Sequence, residues 1–229
     1  MTQSPQYVVA TIRPWNIEEF HRTLVQFSGT WHLLSDGNEL NAETLARIDP
    51  RYIFFPHWSH KVPQEILSKY ECVCFHETDV PYGRGGSPLQ NLISNGHQET
   101  KITALRMSDE IDAGPVYAKR SLSLHGLAEE IYIRAAGIIS EMIHEIIENE
   151  PEPCPQEGEA VYFKRRSPSQ SEIPAHLDSL QALFDFIRML DAREYPSAYL
   201  EYNGFQFYFE KPALRTDAIE ASVTIQKKH

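Results

Sequence analysis

Apolar positions in the first third of the chain recur at two alternating periods. "YVVATI" (7–12), "TWHLLS" (30–35), "RYIFF" (51–55) and "CVCFH" (72–76) are compact runs of strand length. Between them, "NIEEFHRTLVQF" (16–27), "NAETLARI" (41–48) and "PQEILSKY" (63–70) place apolar residues at helical spacing. Asn16 and Asn41 read as helix N-caps and Pro63 as a first helical residue. Pro56 stops the third strand. This β-α-β-α rhythm predicts a mostly parallel sheet with helices on both faces. Ligands of such sheets bind outside the carboxyl ends of the strands. His57, His60 and His76 fall there.

The pattern then changes. "PLQNLISNG" (88–96) predicts a helix ending at Gly96, and "ETKITALRM" (99–107) and "GPVYAKRSLSL" (114–124) predict strands. The polar loop "SDEIDA" (108–113) joins those strands, and a long amphipathic helix follows over roughly 126–149. Residues 151–175, rich in Pro, Ser, Gln and charge around "AVYFKRR", read as a surface linker. The tail shows a helix over 177–191, then the strand-like pieces "SAYLEY", "FQFYFEKPAL" and "EASVTIQ". Asn203-Gly204 marks a hairpin. The predicted organisation is an α/β core over 1–150, a linker over 151–175 and a small α+β appendage over 176–229.

Composition narrows the classes. With 229 residues and 41% apolar content, the chain supports a sizeable core. A formal charge of −11 argues against a partner held by general phosphate neutralisation, as nucleic acid is. A small anionic ligand needs only local cations and backbone amides. Cys72, Cys74 and Cys154 form no metal-like cluster and read as reduced, cytosolic thiols. "MTQSPQYVVATIRPW" lacks the pattern of a signal peptide, and no apolar run nears the roughly 20 residues of a membrane span. A cytoplasmic protein without a membrane partner is expected.

Three stretches carry chemistry. His76 ends a predicted strand and leads into "ETDVPYGRGGSP", where Pro81, Gly83, Gly85 and Gly86 force irregular backbone that can present amides to an anion. In "SDEIDAGPV", Ile111 is expected to anchor the loop and Gly114 to permit a close backbone approach. Asp112 between them is then placed to orient a sheet-end histidine, a pairing suited to proton transfer. In "FFPHWSHKVP", Trp58 reads as a ligand-stacking wall. His57 and His60 match no standard metal signature, so no metal is expected.

In this order, strand–"PHWSHKVP", strand–"FHETDVPYGRGGSPLQ" and "ETKITALRMSDEIDAGPV" resemble the folate-dependent formyltransferase family over roughly residues 45–125. "AVYFKRRSP" and "LFDFIRMLDAREYPSAYLEYNG" resemble the segment after the core in the tRNA and sugar members. The resemblance implies a Rossmann-like core, 10-formyltetrahydrofolate as formyl donor, and His76 and Asp112 as catalytic residues. The family's asparagine falls on Cys74, a poor donor toward an oxyanion. His60, Asn91 and backbone amides are candidate replacements. The implied folate site comprises Phe55, His57, Trp58, Ser59, His60, Lys61 and Val62 on one side. Met107, Ser108, Asp109, Glu110, Ile111 and Asp112 form the other.

Tyr82, Gly83, Arg84, Gly85, Gly86 and Ser87, with Lys164 and Arg165, are the expected acceptor-binding residues. The acidic balance, a tail too short for a full tRNA-binding domain, about 80 residues beyond the long helix, and a "PHWSHKVP…FHETDVPYGRGGSPLQ" variant that most resembles the bacterial sugar-nucleotide N-formyltransferases favour a nucleotide-linked amino-deoxysugar as acceptor. The product would serve surface or flagellin glycans. Methionyl-tRNA and glycinamide ribonucleotide are the alternative acceptors. The reading of another class, prompted by Cys74, is a non-catalytic module that binds folate or a sugar nucleotide. The β-rich tail invites a homodimer.

Overall fold

The computed structural model describes residues 4–228. Met1–Gln3, part of the stretch read for a signal peptide, lie outside the described residues. The chain begins β1 (Gln6–Ala10), α1 (Pro14–Arg22), β2 (Thr30–Leu34), α2 (Ala42–Ile48), β3 (Tyr52–Pro56), α3 (Gln64–Leu67) and β4 (Cys72–His76). It continues with β5 (Arg84–Gly85), α4 (Pro88–Ser94), β6 (Glu99–Arg106), β7 (Val116–Ser123), α5 (Ala128–Asn149) and β8 (Tyr162–Phe163). The last elements are α6 (Leu180–Arg188), β9 (Ala198–Tyr202), β10 (Phe205–Leu214) and β11 (Ile219–Lys227).

The main sheet has the order β2-β1-β3-β4-β6-β7. β1 runs parallel to β2 and β3, and β3 parallel to β4. β6 is antiparallel to β4, so the sheet is mostly parallel, as expected of an α/β core. The chain leaves β1 first to one side and then to the other, which places a switch point beside the carboxyl ends of β1 and β3. Val8, Ala10, Ile53, Phe55 and Cys72 build one core face with Leu45 of α2 and Ile66 of α3. Cys74 packs half-buried against the same cluster, because residues two apart on a strand share a face. All three cysteines are free thiols. Among the described residues, no helix is long and apolar enough to cross a membrane.

Local signals were read with mixed accuracy. Asn41 caps α2, its side chain accepting the Thr44 N–H at 2.9 Å. Asn16 caps nothing: α1 starts at Pro14, with Arg13 as its extended N-cap, and Asn16 is buried in the first turn. Proline's fixed φ sets that start. Pro63 stands at the N-cap of α3, one place earlier than read. α6 is shorter than the predicted helix and is capped by Ser179, which accepts the Ala182 N–H at 3.2 Å.

The chain divides into two compact units, each discontinuous in sequence. The first comprises 1–84, 101–122 and 133–162; the second comprises 85–100, 123–132 and 163–229. In the second unit, β11-β10-β9 form an antiparallel sheet against which α6 packs. Asn203 and Gly204, with φ of 49° and 76°, make the predicted hairpin turn between β9 and β10. In the first unit, the stretch read as a linker is tied down near its start. Val116 and Cys154 exchange backbone hydrogen bonds of 2.7 and 2.9 Å.

Candidate active site

β4 pairs with β6 through His76 and Thr103, which holds His76 at the strand's carboxyl end, 7% exposed. Its Nε2 lies 2.7 Å from the Gly83 carbonyl. A carbonyl only accepts, so Nε2 carries a proton. Nδ1 faces Asp112 Oδ2 at 3.5 Å. A neutral ring protonated at Nε2 presents a lone pair to that carboxylate. The pair is therefore attractive only when a second proton lies between the two. Such a pair is built to hold and release a proton.

Asp112 adopts a left-handed backbone, φ 53°, that non-glycine residues seldom take. The expected anchor of its loop, Ile111, is 68% exposed and anchors nothing. Close backbone packing does that work, because a Cβ on Gly114 would lie 1.8 Å from the Arg106 carbonyl oxygen. Glu110 adds a tether, accepting from the Tyr162 hydroxyl at 2.6 Å. Gly114 thus fills the role read for it, and Ile111 does not.

At the position of the family asparagine, burial pushes the Cys74 thiol well above its ordinary pKa, and the Asp112 charge adds to the effect. Cys74 is a neutral thiol at working pH. Both proposed replacements have other partners. Asn91 donates to the carbonyls of Gly86 (3.1 Å), Ser87 (2.8 Å) and Lys164 (3.2 Å). His60 stands exposed, its ring 5.2 Å from that of Trp58 and its edge over Gly37.

Of the residues expected to bind folate, Phe55, Trp58, Val62 and Met107 gather on the core cluster, Trp58 edge-on to Phe55 at 6.1 Å. Ser59, Lys61, Ser108, Asp109 and Glu110 are exposed. His57 turns elsewhere. Of the acceptor-binding expectations in the first unit, Gly83 is buried and Tyr82 half-buried, its N–H donating to the Asp79 carbonyl at 3.2 Å. The Arg84 guanidinium is occupied by Gln156, Glu110 and Tyr162. In the second unit, Cβ atoms on Gly85 and Gly86 would lie 2.5 Å from the Phe163 carbonyl oxygen and Arg165 Cβ. These glycines make room for a neighbouring backbone. The Ser87 hydroxyl accepts the Arg166 N–H at 3.0 Å, while Lys164 and Arg165 lie exposed.

Sequence reading missed a buried polar network in the first unit. His57, at φ 52°, receives the Trp15 indole N–H on Nδ1 at 3.1 Å, with the Asn16 amide also 3.1 Å away. An indole only donates, so His57 Nε2 carries the proton and gives it to the buried Glu77 carboxylate. Burial alone would raise Glu77, but His57, and then His76, hold its pKa below the usual carboxylate range. A depressed folded value means that Glu77 stabilises the fold above the ordinary glutamate range. That contribution is lost as pH falls through the folded value. Urea unfolding should therefore show Glu77→Gln less stable than the parent near pH 6, with the gap narrowing toward pH 3. A gap that stays constant would refute the linkage.

Comparisons with known proteins bear on this geometry. Residues 168–226 match the family described as methionyl-tRNA formyltransferase, C-terminal domain. The solved structure of a methionyl-tRNA formyltransferase from Clostridium thermocellum is 41% identical. It superposes with a TM-score of 0.93 over 97% of this chain and 99% of its own. A methionyl-tRNA formyltransferase of Lactobacillus gasseri is 27% identical over 206 residues, 85% of this chain and 64% of the relative. This chain spans between about half and two thirds of the length of the curated relatives it matches first. HypX from Aquifex aeolicus, solved in complex with tetrahydrofolic acid, shares the fold. Its TM-score is 0.76 at 19% identity, over 92% of this chain and 38% of its own.

These likenesses overturn the acceptor read from the sequence, a nucleotide-linked amino sugar, and with it the exclusion of nucleic acid. The relative similar along nearly the full chain and the match of the tail both point to tRNA. The error lay in treating net charge as a property of every surface. Residues 163–229 hold nine Lys or Arg and nine Asp or Glu, so the whole excess of −11 resides in residues 1–162. The short tail was misjudged too, since residues 168–226 match the family described as methionyl-tRNA formyltransferase, C-terminal domain.

Proposed function

The chain belongs to the folate-dependent formyltransferase family, and from that premise we propose that it transfers the formyl group of 10-formyltetrahydrofolate to the amino group of methionyl-tRNA. One observation carries the reading: 41% identity to a methionyl-tRNA formyltransferase along almost the entire chain.

The first unit offers a place for the donor. The Trp58 indole N–H is buried with no hydrogen-bond partner among the described residues. A buried donor of this kind calls for an acceptor. A pterin ring, edged with acceptor nitrogens and a carbonyl, supplies one, and its flat faces suit the apolar surroundings of Phe55, Val62 and Met107. Bound there, 10-formyltetrahydrofolate supplies an electrophilic formyl carbon whose bond to N10 breaks as the acceptor nitrogen bonds to it.

The chain's own part is proton handling. His76 Nδ1 takes the proton of the incoming amine while Nε2–H stays fixed on the Gly83 carbonyl. Asp112 stabilises the imidazolium that results. The imidazolium then returns that proton from Nδ1 to N10 of the departing tetrahydrofolate. Both its N–H groups are engaged, by Gly83 and Asp112, and Cys74 offers only a weak S–H, so the oxygen that gains charge calls for another donor.

The test incubates the full chain with 10-formyltetrahydrofolate and methionine-charged initiator tRNA, then deacylates the tRNA. N-formylmethionine is expected from charged tRNA, matched by tetrahydrofolate release, and absent with free methionine or uncharged tRNA. A charged tRNA that yields none sinks the reading.

A further inference from the structure

The loops that carry His76 and Asp112 come from distant parts of the sequence, yet one side chain spans them. Gln156 lies two residues after Cys154, whose backbone is bonded to Val116. Its Nε2 donates to two carbonyls of the aspartate loop, Asp112 O and Gly114 O, each at 2.8 Å. Its Oε1 accepts from Arg84 Nε at 3.1 Å and Nη2 at 2.8 Å. Arg84 follows Gly83, the residue whose carbonyl holds the His76 ring. Both ends of one carboxamide are thus occupied. One end grips the left-handed backbone of Asp112; the other grips the loop on which His76 leans. The remaining guanidinium nitrogen, Nη1, reaches the Tyr162 hydroxyl at 3.2 Å and Glu110 at 3.4 Å, which closes the circuit on the aspartate loop.

We propose that Gln156 is a positioning residue for formyl transfer, setting the Asp112 carboxylate against His76 Nδ1. This inference rests on the formyltransferase reading. An αL aspartate persists only where its surroundings hold it, and both amide hydrogens of Gln156 are used to do so. Displacement of a reacting group by about 1 Å costs on the order of 10²-fold in rate.

Two variants separate this role from simple packing. Gln156→Glu keeps the acceptor that faces Arg84, and strengthens it with charge, but turns oxygen toward the Asp112 and Gly114 carbonyls. Gln156→Ala removes both ends. For both variants kcat is expected to fall by about 10–100-fold, with KM for either substrate within about threefold. The pH profile of kcat and the ¹⁵N signals of the His76 ring should also shift, with near-native melting. A Gln156→Glu enzyme with parental kcat overturns the proposal, because the Arg84 contact alone would then suffice. Losses confined to KM, or His76 ring signals unmoved in both variants, overturn it as well. The ring signals need no turnover. An inactive parent chain would defeat the formyltransferase reading, while signals that still shift would uphold the clamp as geometry.

Discussion

Replacing His76 by asparagine is expected to lower kcat for formyl transfer by about 10²–10⁴-fold while folate binding stays within a few-fold of the parent. Asparagine keeps a polar group of similar reach at the strand end. It has no basic nitrogen at the place where Nδ1 faces Asp112, 3.5 Å away. Proton acceptance is lost, whereas the apolar cluster of Phe55, Val62 and Met107 beside Trp58 is untouched. Steady-state formylation together with a fluorescence titration of tetrahydrofolate checks the two halves separately. A variant that retains a tenth or more of the parental kcat would remove His76 from the reaction. A variant that loses folate binding in proportion to rate would recast it as a binding residue.

Gly114→Ala should damage stability and rate together. A Cβ there would stand 1.8 Å from a main-chain oxygen, and backbone has no alternative rotamer to adopt. Overpacking of this kind costs about 1–3 kcal/mol. For a chain of this size that corresponds to a fall of several degrees in Tm. The loop must shift to admit the methyl group, and Asp112 moves with it, so kcat should drop by on the order of 10²-fold. Differential scanning fluorimetry and single-turnover formylation check both effects. Parental Tm and rate would show that the loop has slack that the close approach to Arg106 denies.

The parallel strands were legible because buried strands write themselves as unbroken apolar runs between helical spacings, as in "RYIFF" and "CVCFH". His76 was legible as a polar residue closing such a run. Asp112 emerged only in company with the glycine two residues on. What stayed hidden follows the same logic. Asn16 looks like a cap because asparagine before an apolar pattern usually is one; besides Thr11, its amide reaches Pro56 and His57, 40 and 41 residues away. Ile111 looks like an anchor because it is apolar, but the loop is held by its backbone. Gln156 sits among prolines and acids with no periodic pattern, so no local signal marks it. The acceptor was misread because a sum over all charges discards where they lie.

The backbone ladder between Val116 and Cys154 bears on how this chain can be cut and recombined. A fragment ending at residue 150, where the long helix stops, looks like a minimal core by sequence. It would discard Gln156 and the Tyr162 hydroxyl while keeping His76 and Asp112. Such a fragment would contain His76 and Asp112 without the groups that hold their loops. A graft or a split of this scaffold that preserves the reactive pair therefore needs its junction beyond Tyr162.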